Sequence, residues 1–274
     1  MNEDELRDMV RDRYAGVARE GVSCCGPSSS CCGGGSPVQV SRDVGYGEEE
    51  LAAVPRGADL GLGCGNPVAL ATLAEGETVL DLGSGGGLDC FLAAERVGES
   101  GRVIGVDMTP EMLRLARRNA AEGGYRNVEF RLGEIENLPV RDGEADAVIS
   151  NCVINLSPDK PRVFREAYRA LKPGGRLLVS DLVLLGPLPE RISRSAAAYA
   201  ACIAGAALKD DYLEAIREAG FRQVEVLEET AYPLELAEGE PALKDMAEGL
   251  NASPRELEEA AASLRSIRVR AVKP

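Results

Sequence analysis

Eight cysteines and no histidine set the chemistry open to this chain of 274 residues. Without histidine there is no imidazole base, no Cys–His dyad and no histidine-ligated metal. Thiols remain, suited to soft metal or metalloid ions and to two-electron redox steps. Cys24, Cys25, Cys31 and Cys32 lie in CCGPSSSCC, whose CC-x5-CC spacing is not that of a zinc ribbon. Cys64, Cys90, Cys152 and Cys202 are scattered. A second constellation is DLGSGGGLD, Asp81 to Asp89, with the apolar run Thr78-Val79-Leu80 before it and a helix-like segment after it. Strand, glycine turn and helix present backbone N–H groups to a nucleotide-like ligand. Asp107 stands 20 residues beyond Gly87, at the end of the next apolar run. An acid there is placed to accept hydrogen bonds from ribose hydroxyls.

The loop narrows the ligand. A dinucleotide fingerprint reads GxGxxG, whereas Gly83-Ser84-Gly85-Gly86-Gly87 reads GxGGG and follows the acid Asp81. DxGxGxG is the loop of class I methyltransferases that use S-adenosylmethionine. That donor has no pyrophosphate, and an acid beside the loop suits its ammonium and would repel a phosphate. Gly133-Glu134-Ile135-Glu136 should border the adenine, and LKPGG at 171–175 is another habitual methyltransferase element. The expected cofactor-binding set is Asp81, Gly83, Ser84, Gly85, Gly87, Asp107, Met108, Ile135, Glu136 and Asn151. DLGLGCG at 59–65 imitates the loop but follows VPRGA instead of a strand and runs into Pro67, so it reads as an irregular loop carrying Cys64.

These residues need a scaffold, and the pattern supplies one. Strands are expected at 77–82, 102–107, 127–132, 145–150 and 176–184. Helices are expected at 88–97, 111–121 with Thr109-Pro110 as its start, and 158–171 with Ser157 as its cap. This alternation predicts an α/β fold, a doubly wound, Rossmann-like class I methyltransferase sheet with a small C-terminal α+β extension. A short amphipathic helix is expected over 1–20. An Ala-rich helix over 195–208 would carry Cys202. Further on come a helix at 211–220, a strand at 221–228, a capping box at Ser253–Glu256 and a strand at 266–272. The chain divides into an N-terminal helix with a Cys-rich arm (1–40), a methyltransferase core (41–205) and a C-terminal region (206–274). That last region either completes the sheet or caps the acceptor site.

The formal charge of −14 argues against nucleic acid and anionic membrane surfaces as partners. MNEDELRDMV has no apolar core of a signal peptide, and no run of apolar residues is long enough to span a bilayer, so the cytoplasm is the expected compartment. There the cysteines should be thiols.

Cys152 sits where the fourth strand ends, inside SNCVINL, and ligands in such sheets bind at the carboxyl ends of strands. Cys152 should therefore face the transferable methyl, with Cys202 on a helix crossing the same face. GLGCGNP (61–67), LDLGSGGGLDCF (80–91), IGVDMTPEML (104–113), NVEFRLGEIENLP (127–139), SNCVINLSPDK (150–160), LKPGGR (171–176) and CIAGA (202–206) together resemble the arsenite methyltransferases. The resemblance runs from about residue 14 to the terminal SIRVRAVKP. It implies As(III) bound by thiolates of Cys152 and Cys202, with Cys64 a further candidate ligand. It also implies a second, redox-active pair made of Cys64 and an N-terminal cysteine. Cys32, nearest in sequence, is the choice over Cys24, Cys25 and Cys31. The substrate would be arsenite or its thiol conjugates, and a thiol reductant, thioredoxin-like or glutathione, would reset the disulfide. Cys90 reads as a buried, inert thiol. Two other readings use parts of this pattern. A small-molecule C-methyltransferase with a quinone-like acceptor would not need Cys152 and Cys202. A thiol-rich metalloid-binding protein without turnover would not need the glycine loop.

Overall fold

The computed structural model describes residues 2–20, 37–67, 72–231 and 253–274. The CC-x5-CC arm with Cys24, Cys25, Cys31 and Cys32 lies outside the described residues; so do most of 68–73, where Pro67 predicts the opening of a helix, and 237–250, which reads as acidic and weakly patterned. Three helices come first: α1 (Glu3–Glu20), α2 (Pro37–Asp43) and α3 (Glu48–Ala53). Then strands and helices alternate as β1 (Thr78–Leu82), α4 (Leu88–Val97), β2 (Arg102–Asp107), α5 (Pro110–Gly123), β3 (Val128–Leu132) and β4 (Ala145–Asn151). A single 3₁₀ turn, Ile154–Leu156, leads to α6 (Lys160–Ala170) and β5 (Leu171–Leu184). The chain ends with α7 (Glu190–Ser193), α8 (Ala196–Ala200), α9 (Lys209–Glu218), β6 (Arg222–Ala231), α10 (Pro254–Ser263) and β7 (Leu264–Val272).

The seven strands form one sheet in the order β3-β2-β1-β4-β5-β7-β6. β1 to β5 are parallel, and β7 runs antiparallel between β5 and β6. The tail from 206 thus supplies the last two strands of the same sheet. Alternation along β1 shows how both faces are covered. Val79 packs with Phe91, Val97 and Leu113 under α4 and α5, while Leu80 and Leu82 pack with Val163, Phe164 and Ile216 under α6 and α9. A strand buried on both faces reads as a continuous apolar run, as TVLDL nearly does. The chain reverses its winding between β1 and β4. Their register, Leu82 against Ser150, sets the glycine loop beside Asn151 and Cys152 at one crevice.

Three expectations change in detail. The cap of α6 is Asp159, whose Oδ1 accepts from Arg162 N at 3.0 Å. Ser157 is drawn off because its hydroxyl donates to Glu136 Oε1 at 2.6 Å. Lys172–Gly175 does not precede β5 but bulges within it, since Ala145 pairs with Leu171 and Ala147 with Arg176. Cys202 is not on a helix. α8 stops at Ala200, and Cys202 takes a left-handed φ of 63° in the turn beyond it. The turn is held by Ile203 and Ala204 N–H groups donating to the carbonyl of Ala198, and by Gly205, where a Cβ would collide with the carbonyl oxygen of Asn155.

Candidate active site

The cleft lies over the carboxyl ends of β1, β2 and β4 and, with the open solvent at its mouth, has about 1020 Å³ of empty space. Its lining includes Gly83, Ser84, Gly85, Asp107, Met108, Ile135, Glu136, Asn151 and Cys152, all expected there. Asp81, Gly87, Cys64 and Cys202 stand outside that lining. Asp81 is 2% exposed beneath the loop, where the Cys90 thiol donates to its Oδ2 at 3.1 Å. Burial and that carboxylate hold the Cys90 thiol well above its ordinary pKa, which keeps it inert.

Asp107 fixes the loop to the second strand. Its Oδ2 accepts from Gly85 N at 2.9 Å and its Oδ1 from Thr109 N at 2.8 Å. Gly83 has φ +70°, and a Cβ there would lie 2.6 Å from Val153 Cβ, so the loop can press against the end of β4 only as glycine. Two buried carboxylates, Asp81 and Asp89, and the half-buried Asp107 surround this floor. Desolvation by burial raises the pKa of Asp107, pushes Asp89 up to about 6, and holds Asp81 well above the usual carboxylate range. In Asp89 the rise is tempered by hydrogen bonds from Tyr46 and Asn151.

Glu136 is turned inward, bonded to Ser157 and paired with Arg7 of α1 at 3.6 Å. Arg7, Val10 and Tyr14 bring α1 across the cleft, a contact that the amphipathic pattern of 1–20 did not reveal.

Asn151 has a second task. Its Nδ2 donates to Tyr46 OH at 2.8 Å, to Gly65 O at 2.7 Å and to Asp89 Oδ2 at 3.2 Å, and its Oδ1 accepts from Cys64 N at 3.1 Å. From the other side Ser266 Oγ donates to Cys64 O at 3.0 Å. The loop that imitates a nucleotide site is therefore pinned over the ends of β4 and β7. Cys64 and Cys152 are joined there as a disulfide, with Cα atoms 5.9 Å apart. The described partner of Cys64 is thus the strand-end cysteine; the N-terminal candidate Cys32 lies outside the described residues.

Cys152 has φ 55°, and its N–H donates to Ser180 O at 2.9 Å. The Cys202 thiol donates to the Cys152 carbonyl at 3.0 Å. Among the described residues only Cys152, Cys202 and Gln223 combine a side chain with positive φ. Such backbones cost about 1–3 kcal/mol each and persist where surrounding structure enforces them. Here the two strained turns bring the Cys202 thiol against the backbone carbonyl of Cys152.

Below them lies Asp181, fully buried, which no motif or spacing singles out. Its Oδ1 accepts from Asn155 Nδ2 at 2.7 Å and from Leu182 N at 2.9 Å, and its Oδ2 from Tyr212 OH at 3.0 Å. Burial pushes its pKa up to about 7 against the pull of those donors. Asp181, Cys64 and Cys152 have their ligand atoms within 4.8 Å of one another.

Sheet order, glycine loop and strand-end acid together define a class I S-adenosylmethionine-dependent methyltransferase, and the methyltransferase-domain family matches residues 73–220. An arsenite methyltransferase of Halobacterium salinarum is 52% identical over 230 residues, 81% of this chain and 59% of that protein. One from Aquipseudomonas alcaligenes is 42% identical over 82% of this chain and 64% of its own length. The crystal structure of an arsenic (III) S-adenosylmethionine methyltransferase from Chlamydomonas reinhardtii superposes with a TM-score of 0.62 at 35% identity, covering 86% of this chain and 73% of the other. The chain belongs to the arsenite methyltransferase family. It spans about three fifths of the length of the curated relatives it matches.

Proposed function

We propose that the protein transfers methyl groups from S-adenosylmethionine to thiolate-bound As(III), giving methylated arsenicals. One observation carries this reading. The floor of the cleft ends in Cys152, linked to Cys64 and touched by the Cys202 thiol.

The residues fit the cofactor. Ser84 Oγ is buried with no partner among the described residues, and Gly85 is open on the side a Cβ would occupy. Asp89 and Asp107, whose burial disfavours their charge, are better ionised beside a cation. S-adenosylmethionine, when bound, supplies a methyl on a sulfonium sulfur. Asp107 would take the ribose hydroxyls while keeping the loop N–H of Gly85, and the Ser84 hydroxyl and the loop amides would face the amino-acid end. Gly83→Ala should therefore weaken cofactor binding at least about tenfold, since the added methyl strains φ and displaces Val153. Calorimetric titration with S-adenosylmethionine measures this.

The thiolates handle the arsenic. Cys152 and Cys202 exchange with hydroxide or thiol ligands of arsenite, each thiol proton leaving with the displaced group. Bound to sulfur, As(III) keeps a lone pair and can attack the methyl carbon in line without losing a proton. No general base is required, which is compatible with a chain lacking histidine. The chain contributes approximation and alignment. As the As–C bond forms, arsenic loses two electrons formally. Attack of the Cys64 thiolate on the arsenic-bound sulfur of Cys152 forms the S–S bond, breaks the As–S bond and returns that electron pair to arsenic. A thiol reductant, thioredoxin-like or glutathione, then reopens the disulfide. This cycle belongs in a reducing compartment such as the cytoplasm. Among the described residues no helix is long and apolar enough to cross a membrane.

The direct test is to incubate the protein with arsenite, S-adenosylmethionine and a thiol reductant and to speciate the arsenic by mass. Methylated arsenic formed in step with cofactor consumption is the expected result. A cofactor that binds but is never consumed would defeat the assignment. Cys64→Ser should stop turnover of arsenite after a single event while sparing the first methyl transfer. Equal loss of the single-turnover burst and the steady state would remove its separate redox role.

A further inference from the structure

Asp181 takes no part in the cycle above, yet it is fully buried directly beside the disulfide. Among the described residues no Lys or Arg nitrogen forms an ion pair with its carboxylate; three hydrogen bonds and the more distant Lys160 ammonium face it. When the disulfide opens, two thiols join that carboxylate in the same buried space. Protonated, the two thiols are neutral; ionised together with the carboxylate, they form a three-donor anionic set that only a multivalent cation could hold in buried space.

We propose that the reduced chain chelates a thiophilic divalent cation, zinc or cadmium, with Cys64 Sγ, Cys152 Sγ and one carboxylate oxygen of Asp181 as its three protein ligands. The ligand atoms already lie within 4.8 Å of one another. Around tetrahedral zinc, with bonds of about 2.3 Å to sulfur and about 2.0–2.2 Å to oxygen, ligand atoms sit roughly 3.4–3.8 Å apart. Small side-chain rotations cover the difference once the S–S bond is broken. Two thiolates select a soft or borderline ion over magnesium or calcium. Asn155, Leu182 N and Tyr212 hold the carboxylate in place, as outer-sphere donors do in metal sites. The fourth position would be left to water. Cys202 is not a member: its thiol is turned to the Cys152 carbonyl and lies outside the cluster. The cation site and the proposed arsenite site thus share Cys152 and differ in their other ligands. A bound cation would consequently shut out arsenite. That consequence rests on the proposed function; cation binding does not.

The bond opens by balanced chemistry with tris(2-carboxyethyl)phosphine. Phosphorus gives two electrons to the disulfide and takes an oxygen from water, and water's two protons go to the thiols. Metal entry then displaces those protons to solvent. The test uses the 274-residue chain with Cys24, Cys25, Cys31 and Cys32 changed to serine, so that the N-terminal thiols cannot contribute. Reduced protein is titrated with cadmium, following sulfur-to-metal charge transfer. One ion per chain with a band of two-thiolate intensity is expected. Cys202→Ser should leave the dissociation constant within about threefold, whereas Cys64→Ser and Asp181→Asn should each raise it at least about tenfold. Should Asp181→Asn fail to fold, ¹¹³Cd resonance of the parent separates two sulfurs plus oxygen from three sulfurs. A three-sulfur signal, loss of binding in Cys202→Ser, or undiminished affinity in Cys64→Ser would each overturn the site.

Discussion

Replacing Cys152 by serine should abolish arsenite methylation, a loss of at least about 10³-fold, while S-adenosylmethionine affinity stays within about threefold. The substitution changes one atom. The fold should keep it, because serine tolerates the φ of 55° as well as cysteine does and the N–H bond to Ser180 O is a backbone contact. Sulfur's chemistry is what goes. A serine hydroxyl is not ionised near neutral pH and is a hard donor, so it neither holds As(III) as thiolate does nor forms a disulfide with Cys64. Cys202→Ser should be equally inactive by a narrower route, since it leaves the Cys64–Cys152 pair intact. The two variants together separate binding from redox turnover. Arsenic speciation gives the activity, and calorimetry on the same preparations gives the affinity. Normal turnover in either variant would show that the two-thiolate site is misassigned.

Much of the scaffold was legible because parallel strands buried on both faces announce themselves. TVLDL, RVIGVD and ADAVIS are apolar runs closed by turn or acid signals, and each forms a strand within a residue of its expected bounds. Glycine spacing and the distance to Asp107 likewise encode local geometry, since both ends of that relation belong to consecutive elements. What stayed hidden is long-range. Asn151 holds Cys64 across 87 positions, and Ser266 does so across 202. No periodicity marks such pairs. The disulfide partner of Cys64 depends on where that irregular loop lands, and only the sheet order puts it over β4. Cys202 illustrates another limit. Its Ala-rich neighbourhood has high helix propensity, but the tertiary contact of Gly205 with the Asn155 carbonyl ends the helix first. Asp181 looked like an ordinary residue near a strand end, and its burial makes it unusual.

Asp107→Ala should weaken S-adenosylmethionine binding by about 2–3 kcal/mol, roughly 30- to 150-fold, through the loss of charge-assisted hydrogen bonds and of the acceptor that steadies Gly85 N and Thr109 N. The same carboxylates give the effect a pH signature. Burial raises the pKa of Asp107 and takes Asp89 to about 6, so both hold protons in the folded chain to higher pH than the ordinary aspartate value of about 3.9 allows in the unfolded one. Stability gained this way is fully present below that unfolded value and is lost as pH rises through the folded ones. These two groups should therefore lower the melting temperature of the ligand-free protein progressively between about pH 4 and 7. A sulfonium and an ammonium entering the cleft favour the ionised carboxylates. Binding should release protons and tighten as pH rises over the same range. Calorimetry in two buffers of different ionisation enthalpy reads the proton count, and melting curves with and without cofactor read the stability. The Asp107→Ala variant should release fewer protons than the parent. Unchanged affinity in that variant would sink the placement of the ribose at the end of β2, and a pH-independent affinity in the parent would remove these carboxylates from cofactor recognition.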